Sequence, residues 1–276
     1  MSKHIPQSLS PFFRPEEIEL ADAFLDDAYI IRSAEDRAAL DRIQHHVAQT
    51  AASLLDCPAP DDPLAFLDSI HARVTVEKLN DFRLAVFRAM NDQDWLRPAY
   101  FSVARQAVQT LAGNELAMQR RVNLSIQLPN DDSSLLPVHA DVWSGDSPYE
   151  IVLWIPLVNC FATKSMYIAP PDLDRELQAR FTDFEGRSAE DIWRRIEPHV
   201  RFLEVPYGSY LLFSQNVMHG NRVNTEPTTR WSMNCRFKSV MSPYADKRLG
   251  EFFEPITLRP ATRLGLDYKL PGGFQE

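Results

Sequence analysis

The sequence predicts an α+β fold: a double-stranded β-helix core, which is a jelly-roll or cupin-like barrel, with an N-terminal helical flank and a helical insertion. The first observation is a change of hydrophobic period. Apolar residues before position 118 recur with helical spacing, whereas from Arg121 they alternate with polar residues, as on a strand with one buried face. The second observation is that several short strand-like segments follow one another with turn residues between them, which is typical of a jelly roll.

Three helices are predicted in the flank, over residues 34–55, 75–90 and 98–112. Ser33 supplies a hydroxyl that can cap the first of them, and Gly113 is a stop signal for the last. Because no linker rich in glycine, serine or proline follows near position 115, we expect the helices to pack directly on the barrel.

Four segments carry the pattern of strands, at residues 121–128, 151–158, 209–214 and 230–238. In the first of them, Asn123, Ser125 and Gln127 form a polar stripe opposite apolar residues. That stripe either lines a ligand cavity inside the barrel or faces solvent. The second segment is apolar throughout, so it is expected to be buried on both faces.

These patterns divide the chain into three parts within one structural domain. A helical flank covers residues 1–118, a barrel covers residues 119–241, and a C-terminal extension covers residues 242–276. The barrel is interrupted by a helical insertion at about residues 172–198, in which Ser188 and Asp191 have the spacing of a capping box.

Composition limits the class of protein. With 276 residues, of which 45% are hydrophobic, the chain can bury a large core. A formal net charge of -9 argues against a nucleic-acid partner, because no basic face would neutralise phosphates. The three cysteines form no C-x-x-C pair, which predicts reduced thiols and a cytoplasmic protein. The N-terminus has no apolar secretory core, and no apolar run is long enough to cross a membrane.

Two histidines and one aspartate are the candidate metal ligands. His139 and Asp141 are two positions apart, so on a strand they would face the same way, and His219 would complete the set from a strand across the barrel. Two imidazoles and one carboxylate on one face leave half of an iron coordination sphere open. About one His-x-acid triplet is expected by chance in this composition, so the other interpretation is a structural His-Asp pair and an unrelated surface histidine.

Arg230 and Ser232 are the candidate anchor for a carboxylate. A guanidinium can hold the far end of a dicarboxylate by two parallel charge-assisted hydrogen bonds, and Ser232 lies on the same strand face to share that carboxylate. The other interpretation is a surface arginine on a half-exposed strand. If Arg230 is not the anchor, Arg236 is the next candidate.

Three segments, 137–141, 218–222 and 230–232, together resemble the iron(II)- and 2-oxoglutarate-dependent oxygenase superfamily, in its phytanoyl-CoA dioxygenase-like form. The resemblance covers about residues 119–240. It implies iron(II) held by the two histidines and the aspartate, 2-oxoglutarate anchored at the arginine and serine, use of dioxygen, and release of succinate and CO2. Hydroxylation is the simplest outcome, although desaturation, ring closure and epimerisation begin in the same way.

Residues 123–129 and 143–149 more narrowly resemble a bacterial subgroup of these oxygenases encoded among carbohydrate-biosynthesis genes. That resemblance implies a small, sugar-like substrate. Asn123, Ser125 and Gln127 are then candidates for lining the cosubstrate cavity.

Trp143 and Lys164 are the candidate substrate contacts. Trp143 would lie on the same face as Asp141 if the strand continues, where it could floor the pocket or stack on a sugar ring; otherwise it is a core tryptophan. Lys164 could supply a cation near 2-oxoglutarate or an anionic substrate, or it is an ordinary exposed lysine.

Two other functions remain open from the sequence. One is a cupin-type dioxygenase or isomerase, which keeps the metal but uses no 2-oxoglutarate. The other is a non-catalytic carbohydrate-binding jelly roll, in which aromatic residues supply the stacking surfaces. The first leaves Arg230 and Ser232 unexplained, and the second leaves His139, Asp141 and His219 unexplained.

Overall fold

Helices make up most of the N-terminal part of the chain. The computed structural model describes residues 4–272, so residues 1–3 of the predicted flank and residues 273–276 of the predicted C-terminal extension lie outside the described residues. The first six helices, α1 to α6, are Pro15–Asp27, Arg37–Leu54, Pro63–Asp68, Val76–Asn91, Leu96–Ser102 and Arg105–Ala112.

The three predicted helices are present, with two corrections. Asp36 rather than Ser33 caps α2, since its side chain accepts a hydrogen bond from the backbone N–H of Ala39 at 2.9 Å. Ser33 instead ends a strand, β1 (Tyr29–Ser33), that the sequence patterns did not indicate. The third predicted helix is two helices, because Ala104 leaves the helical region at φ -143 and ψ 33.

The remaining strands, β2 to β10, are Leu116–Gln119, Asn123–Gln127, Glu150–Pro156, Tyr167–Ile168, Arg201–Phe202, Ser209–Ser214, His219–Gly220, Arg230–Ser239 and Phe253–Pro255. The larger sheet has the order β1-β7-β4-β9-β2-β10, and β3 also pairs with β9. The smaller sheet has the order β6-β5-β8. All of these pairings are antiparallel, as a jelly roll requires.

Strand β9 joins the helical flank to the interior of the barrel. Its residues alternate between two buried faces. Trp231, Met233, Cys235 and Phe237 form the apolar face, are fully buried and pack in one continuous core with the helices. The Trp231 indole N–H donates to the carbonyl of Leu67 in α3 at 2.9 Å, which ties the flank to the sheet. The opposite, polar face of β9 therefore points into the barrel.

The helical insertion consists of α7 (Pro171–Ala179), α8 (Ala189–Ile196) and short 3-10 turns, and the predicted capping box of Ser188 and Asp191 is present. It packs on the smaller sheet, with Trp193 against Tyr167 at 4.6 Å between ring centroids. The Asp174 carboxylate accepts from the backbone N–H of Met218 at 2.7 Å, directly before β8. The insertion is thus anchored beside His219.

The C-terminal segment also returns to the barrel. Strand β10 pairs with β2 at the edge of the larger sheet, and helix α9 (Pro260–Asp267) follows it. None of the helices within residues 4–272 is both long and apolar enough to span a bilayer.

Candidate metal centre

His139 and His219 are brought together by a backbone bridge between a loop and the start of β8. The N–H of each donates to the carbonyl of the other, at 3.0 Å and 2.8 Å. Residues paired in this way carry their side chains side by side, and the two imidazole ring centroids are 4.4 Å apart. The bridge therefore determines the separation of the two histidines.

Asp141 completes the cluster, although it does not lie on a strand as predicted. Ala140 is extended, with φ -117 and ψ 134, but Asp141 begins a 3-10 turn over Asp141–Ser144. One extended residue is enough to place both neighbours on the same side. Asp141 Oδ1 is 3.4 Å from His139 Nε2 and 3.9 Å from His219 Nε2, and the three ligand atoms lie within 4.8 Å of one another.

Backbone carbonyls orient both imidazoles. His139 Nδ1 lies 2.7 Å from the Pro137 carbonyl, and His219 Nδ1 lies 2.9 Å from the Val217 carbonyl. A carbonyl only accepts, so each Nδ1 must carry the proton and each Nε2 keeps its lone pair toward Asp141. Metal-binding histidines are usually oriented in this way, with the nitrogen that does not bind the metal donating to a carbonyl or carboxylate oxygen.

The electrostatics of the cluster favour a bound cation. Burial lowers the pKa of His219 to about 4, with a contribution from the neighbouring His139, so its imidazole is neutral near pH 7. Burial alone would raise the pKa of Asp141, but the contact with His139 and the charge of Arg236 outweigh burial and hold that pKa well below its usual range. A carboxylate and an uncharged imidazole are the protonation states that bind iron.

Arg236 contacts the candidate ligand Asp141, an arrangement that the sequence did not indicate. Its Nη2 donates to Asp141 Oδ2 at 2.8 Å, while Oδ1 of the same carboxylate faces the two histidines. Its Nε donates to Gln215 Oε1 at 3.0 Å and lies 3.2 Å from Asp146, which Lys247 also neutralises. Arg236 thus fixes which Asp141 oxygen is available to a metal. In the sequence, the one indication was the alternation that places Arg236 on the same face of β9 as Arg230 and Ser232.

We expect Arg236→Gln to weaken iron(II) binding by roughly 10- to 100-fold, the effect typical of losing an outer-shell partner of a ligand. The physical reason is that Asp141 would lose the donor that holds Oδ2, so the carboxylate could turn away from the metal. Anaerobic calorimetric titration with iron(II) measures the change. Arg248→Gln removes one charge from an exposed position nearby and is the control. Equal affinity in Arg236→Gln and the parent protein would show that Arg236 does not position Asp141.

The three ligands lie in a cavity of about 250 Å³. Its polar wall comes from the inward face of β9, with Arg230, Ser232 and Asn234, and from Asn123 and Ser125 on β3. Of the two interpretations of the polar stripe, the inward one is correct for Asn123 and Ser125. The apolar wall is formed by Leu136, Val152, Trp154, Met166 and Phe213.

Gln127, the third residue of the stripe, is buried but does not line the cavity. Its Nε2 donates to the carbonyl of Arg222 at 2.7 Å, which closes the end of β3 against the loop after β8. A cosubstrate contact at Gln127 is therefore not supported by the geometry.

Arg230 is a buried cation, and none of residues 4–272 provides it with an anionic partner. It is 3% exposed, and within the described part of the chain its guanidinium makes one hydrogen bond, from Nη2 to Ser125 Oγ at 3.1 Å. Its Nε and the Ser232 hydroxyl are buried and have no hydrogen-bond partner among the described residues. Burial lowers the pKa of Arg230 to about 10. An uncompensated buried charge is costly, so this end of the cavity suits a carboxylate.

Trp143 does not line the cavity, because the extended backbone ends at Asp141 and the 3-10 turn rotates Trp143 outward. It is 38% exposed, and its ring lies 4.6 Å from that of Phe181 in the helical insertion. The prediction that Trp143 floors the pocket and the alternative of a core tryptophan are both wrong. It connects the metal-binding turn to the insertion.

Lys164 is likewise neither a pocket cation nor an exposed lysine. It is 1% exposed, its Nζ lies 2.5 Å from Asp68 Oδ1 and 2.7 Å from Thr228 Oγ1, and it is absent from the cavity wall. The end of α3 and the loop before β9 enclose it. Its ion pair is part of the scaffold that supports Arg230.

We expect Lys164→Met to destabilise the fold by about 3 kcal/mol, the low end of the range for a broken buried pair. The cost stays at the low end because Asp68 keeps 20% of its side chain exposed. Urea unfolding measures the change. Lys164→Met combined with Asp68→Leu removes both charges and should recover most of the loss. A single variant as stable as the parent, or a double variant no more stable than the single one, would contradict this structural role.

Comparison with known proteins identifies the fold. No family model matches the chain, and no curated protein matches it. The solved structure of the non-heme monooxygenase ThoJ with nickel is similar, at 17% identity and a TM-score of 0.55, over 87% of this chain and 84% of ThoJ. The epimerase SnoN, in complex with Fe3+, alpha ketoglutarate and nogalamycin RO, is similar at 15% identity and a TM-score of 0.51, over 95% of this chain and 92% of SnoN.

These similarities cover the helical flank as well as the barrel, and they agree with the antiparallel jelly roll described above. The chain therefore has the fold of ThoJ and SnoN, an antiparallel jelly roll with a helical flank.

Proposed function

We propose that this protein is an iron(II)- and 2-oxoglutarate-dependent oxygenase that oxidises a C–H bond of a small polar molecule, with release of succinate and CO2. The observation that carries the proposal is Arg230: a buried guanidinium without a counter-ion, on the wall of the same cavity that contains His139, Asp141 and His219. A chelating dicarboxylate requires a metal held by protein ligands and a separate carboxylate anchor in the same cavity.

Different residues of the cavity would have different roles. His139, Asp141 and His219 would hold iron(II), with both Nε2 atoms kept unprotonated by the carbonyls behind them. The free Nε of Arg230 and the Ser232 hydroxyl would hold the distal carboxylate of 2-oxoglutarate. When bound, iron(II), 2-oxoglutarate and dioxygen supply the oxidising chemistry. The apolar wall of the cavity would limit the access of water to the reacting atoms.

The two other functions have less support. A cupin-type enzyme without 2-oxoglutarate has no use for the unpaired Arg230 and Ser232. A carbohydrate-binding jelly roll leaves the cluster of His139, Asp141 and His219 unexplained, and Trp143, the predicted stacking residue, packs on Phe181 outside the cavity. The SnoN structure, whose fold is similar, contains Fe3+ and alpha ketoglutarate, which supports the same pair of ligands here.

We infer a sugar-like substrate and a role in carbohydrate biosynthesis from the subgroup resemblance of residues 123–129 and 143–149. The amide and hydroxyl groups of Asn123, Ser125 and Asn234 in the cavity suit such a polar molecule. We further infer a cytoplasmic location, because all three cysteines are free thiols and iron(II) is easier to keep reduced there.

Anaerobic titration of the metal-free protein with iron(II) and 2-oxoglutarate tests the function. We expect the weak visible charge-transfer band of the bidentate chelate, and its loss in His219→Ala and in Arg230→Ala. Iron binding without the band would favour the cupin-type enzyme, whereas no iron binding would exclude a metal-dependent enzyme. Succinate release then identifies substrates.

A further inference from the structure

A second groove adjoins the metal cavity along the outer edge of β3. It has a volume of about 490 Å³, against about 250 Å³ for the cavity itself. The two spaces share four wall residues, which are Asn123, Ser125, Leu136 and Asn234. Because 2-oxoglutarate would occupy part of the smaller space, the adjoining groove offers room for the remainder of a larger substrate.

Helix α4 and the loop before the metal ligands form the two sides of the groove. The Asn91 side chain in α4 donates to the Val122 carbonyl at 3.0 Å and accepts from the Val122 N–H at 2.8 Å, which fixes α4 against the start of β3. On the other side, Asn221 Oδ1 accepts from the Leu136 N–H at 2.6 Å, two positions after His219. Both sides are thus attached to the framework that holds the metal ligands.

Among the described residues that line the groove, Arg83 is the one that carries a charge, and none is a carboxylate. The guanidinium is half-buried and is held in place by Asn80 Oδ1 at 2.9 Å and, more weakly, by the Leu124 carbonyl at 3.5 Å. Within residues 4–272 it forms no ion pair. The remaining polar lining is neutral: Asn80, Asn123, Ser125, Ser133, Ser134 and Asn234.

We propose that this groove is the binding site for the part of the substrate that is not oxidised, and that Arg83 recognises an oxyanion group, phosphate or carboxylate, on it. A preorganised guanidinium without a counter-ion binds such groups by charge-assisted hydrogen bonds. Amides and hydroxyls along the path suit a polyhydroxylated body, and the exposed Leu136 suits its C–H surface. The substrate class is therefore an acidic or phosphorylated sugar-like molecule. Arg83, rather than Lys164, is the substrate cation.

This inference rests on the proposed function in one respect: the bound oxyanion belongs to a substrate only if the protein is an oxygenase. Binding of the oxyanion to Arg83 does not depend on that function, and only its detection requires a metal held by His139, Asp141 and His219. Manganese(II) in place of iron is a paramagnetic probe, since it speeds the nuclear relaxation of any small molecule held nearby. Inorganic phosphate, observed by ³¹P, and [¹³C]acetate are the two oxyanion probes, with 2-oxoglutarate present to occupy Arg230.

Four proteins are compared: the parent, Arg83→Gln, Arg88→Gln and Arg230→Ala. Arg88 is an exposed arginine on the same helix and does not line the groove, so it is the matched control. We expect relaxation enhancement of at least one probe in the parent and in Arg88→Gln, and roughly tenfold weaker binding of it in Arg83→Gln. The probe that responds shows whether the groove binds a phosphate group or a carboxylate.

No enhancement of either probe in the parent protein, or equal enhancement in Arg83→Gln, would overturn the inference. An enhancement that only Arg230→Ala removes would mean that the probe occupies the cosubstrate anchor, which also overturns the role of Arg83. Failure of the proposed function would be seen separately, as absence of the iron–2-oxoglutarate band while Arg83 still binds the probe. Manganese affinity, measured in the same samples, checks that each variant is folded.

Discussion

Replacing His139 by alanine is expected to reduce iron(II) affinity by more than about 100-fold, because an outer-shell partner alone is worth roughly 10- to 100-fold. The remaining His219 and Asp141 would offer two ligands, and two ligands do not define the open face that iron(II) chemistry needs. The fold should survive, since the His139 side chain is 30% exposed and its one backbone partner is the Pro137 carbonyl. Anaerobic calorimetry with iron(II) and thermal unfolding of the metal-free protein measure the two effects.

His199→Ala is the control for that experiment, because His199 is exposed and lies outside the metal cavity. It should bind iron(II) as the parent does. If His139→Ala also bound iron(II) as the parent does, the metal centre would have to be elsewhere. Loss of the fold in His139→Ala would instead show that the residue is structural.

Replacing Arg230 by lysine is expected to raise the 2-oxoglutarate dissociation constant by roughly 10- to 100-fold, while iron(II) affinity stays unchanged. Lysine keeps the charge but loses the planar fork, so one charge-assisted hydrogen bond of about 1.5–3 kcal/mol is lost. The hydrogen bond from Nη2 to Ser125, which orients the side chain, is lost as well. Titration of the charge-transfer band with 2-oxoglutarate at saturating iron(II) measures the change.

Arg201→Lys is the matched control, since Arg201 is an exposed arginine on a strand of the other sheet. It should leave the 2-oxoglutarate requirement unaltered. An unaltered requirement in Arg230→Lys would remove the proposed anchor. Arg236, the second candidate from the sequence, could not replace it, because that guanidinium is already committed to Asp141 and Asp146.

Predictions that depend on local periodicity were confirmed. The strands at β4, β7 and β9 and the helices of the flank lie close to their predicted positions, because alternation and helical spacing record which side of an element is buried. The polar residues of β9 were also informative. Arg230, Ser232, Asn234 and Arg236 alternate with large apolar residues, and a strand that is buried on its apolar face can direct the other face into a cavity.

Predictions that required knowledge of backbone direction or of distant neighbours were wrong. Trp143 was placed on a continued strand, but the chain turns at Asp141. Lys164 was treated as a pocket or surface cation, although Asp68, which is 96 positions away in sequence, encloses it in an ion pair. Strand β1 pairs with β7 across most of the chain, so no local pattern could have indicated that pairing.

The sequence by itself determined the fold class, four strand segments of the barrel, and the candidate ligands and anchor, since these follow from residue type, from periodicity and from the resemblance of short motifs. The tertiary structure alone decided that His139 and His219 are adjacent, that Arg236 fixes one oxygen of Asp141, and that Arg83 faces a groove that adjoins the cavity. The physical reason is that hydrogen bonds and ion pairs between distant segments depend on which sheets and helices pack together. Periodicity shows which side of an element is buried, but it does not show which distant segment covers that side.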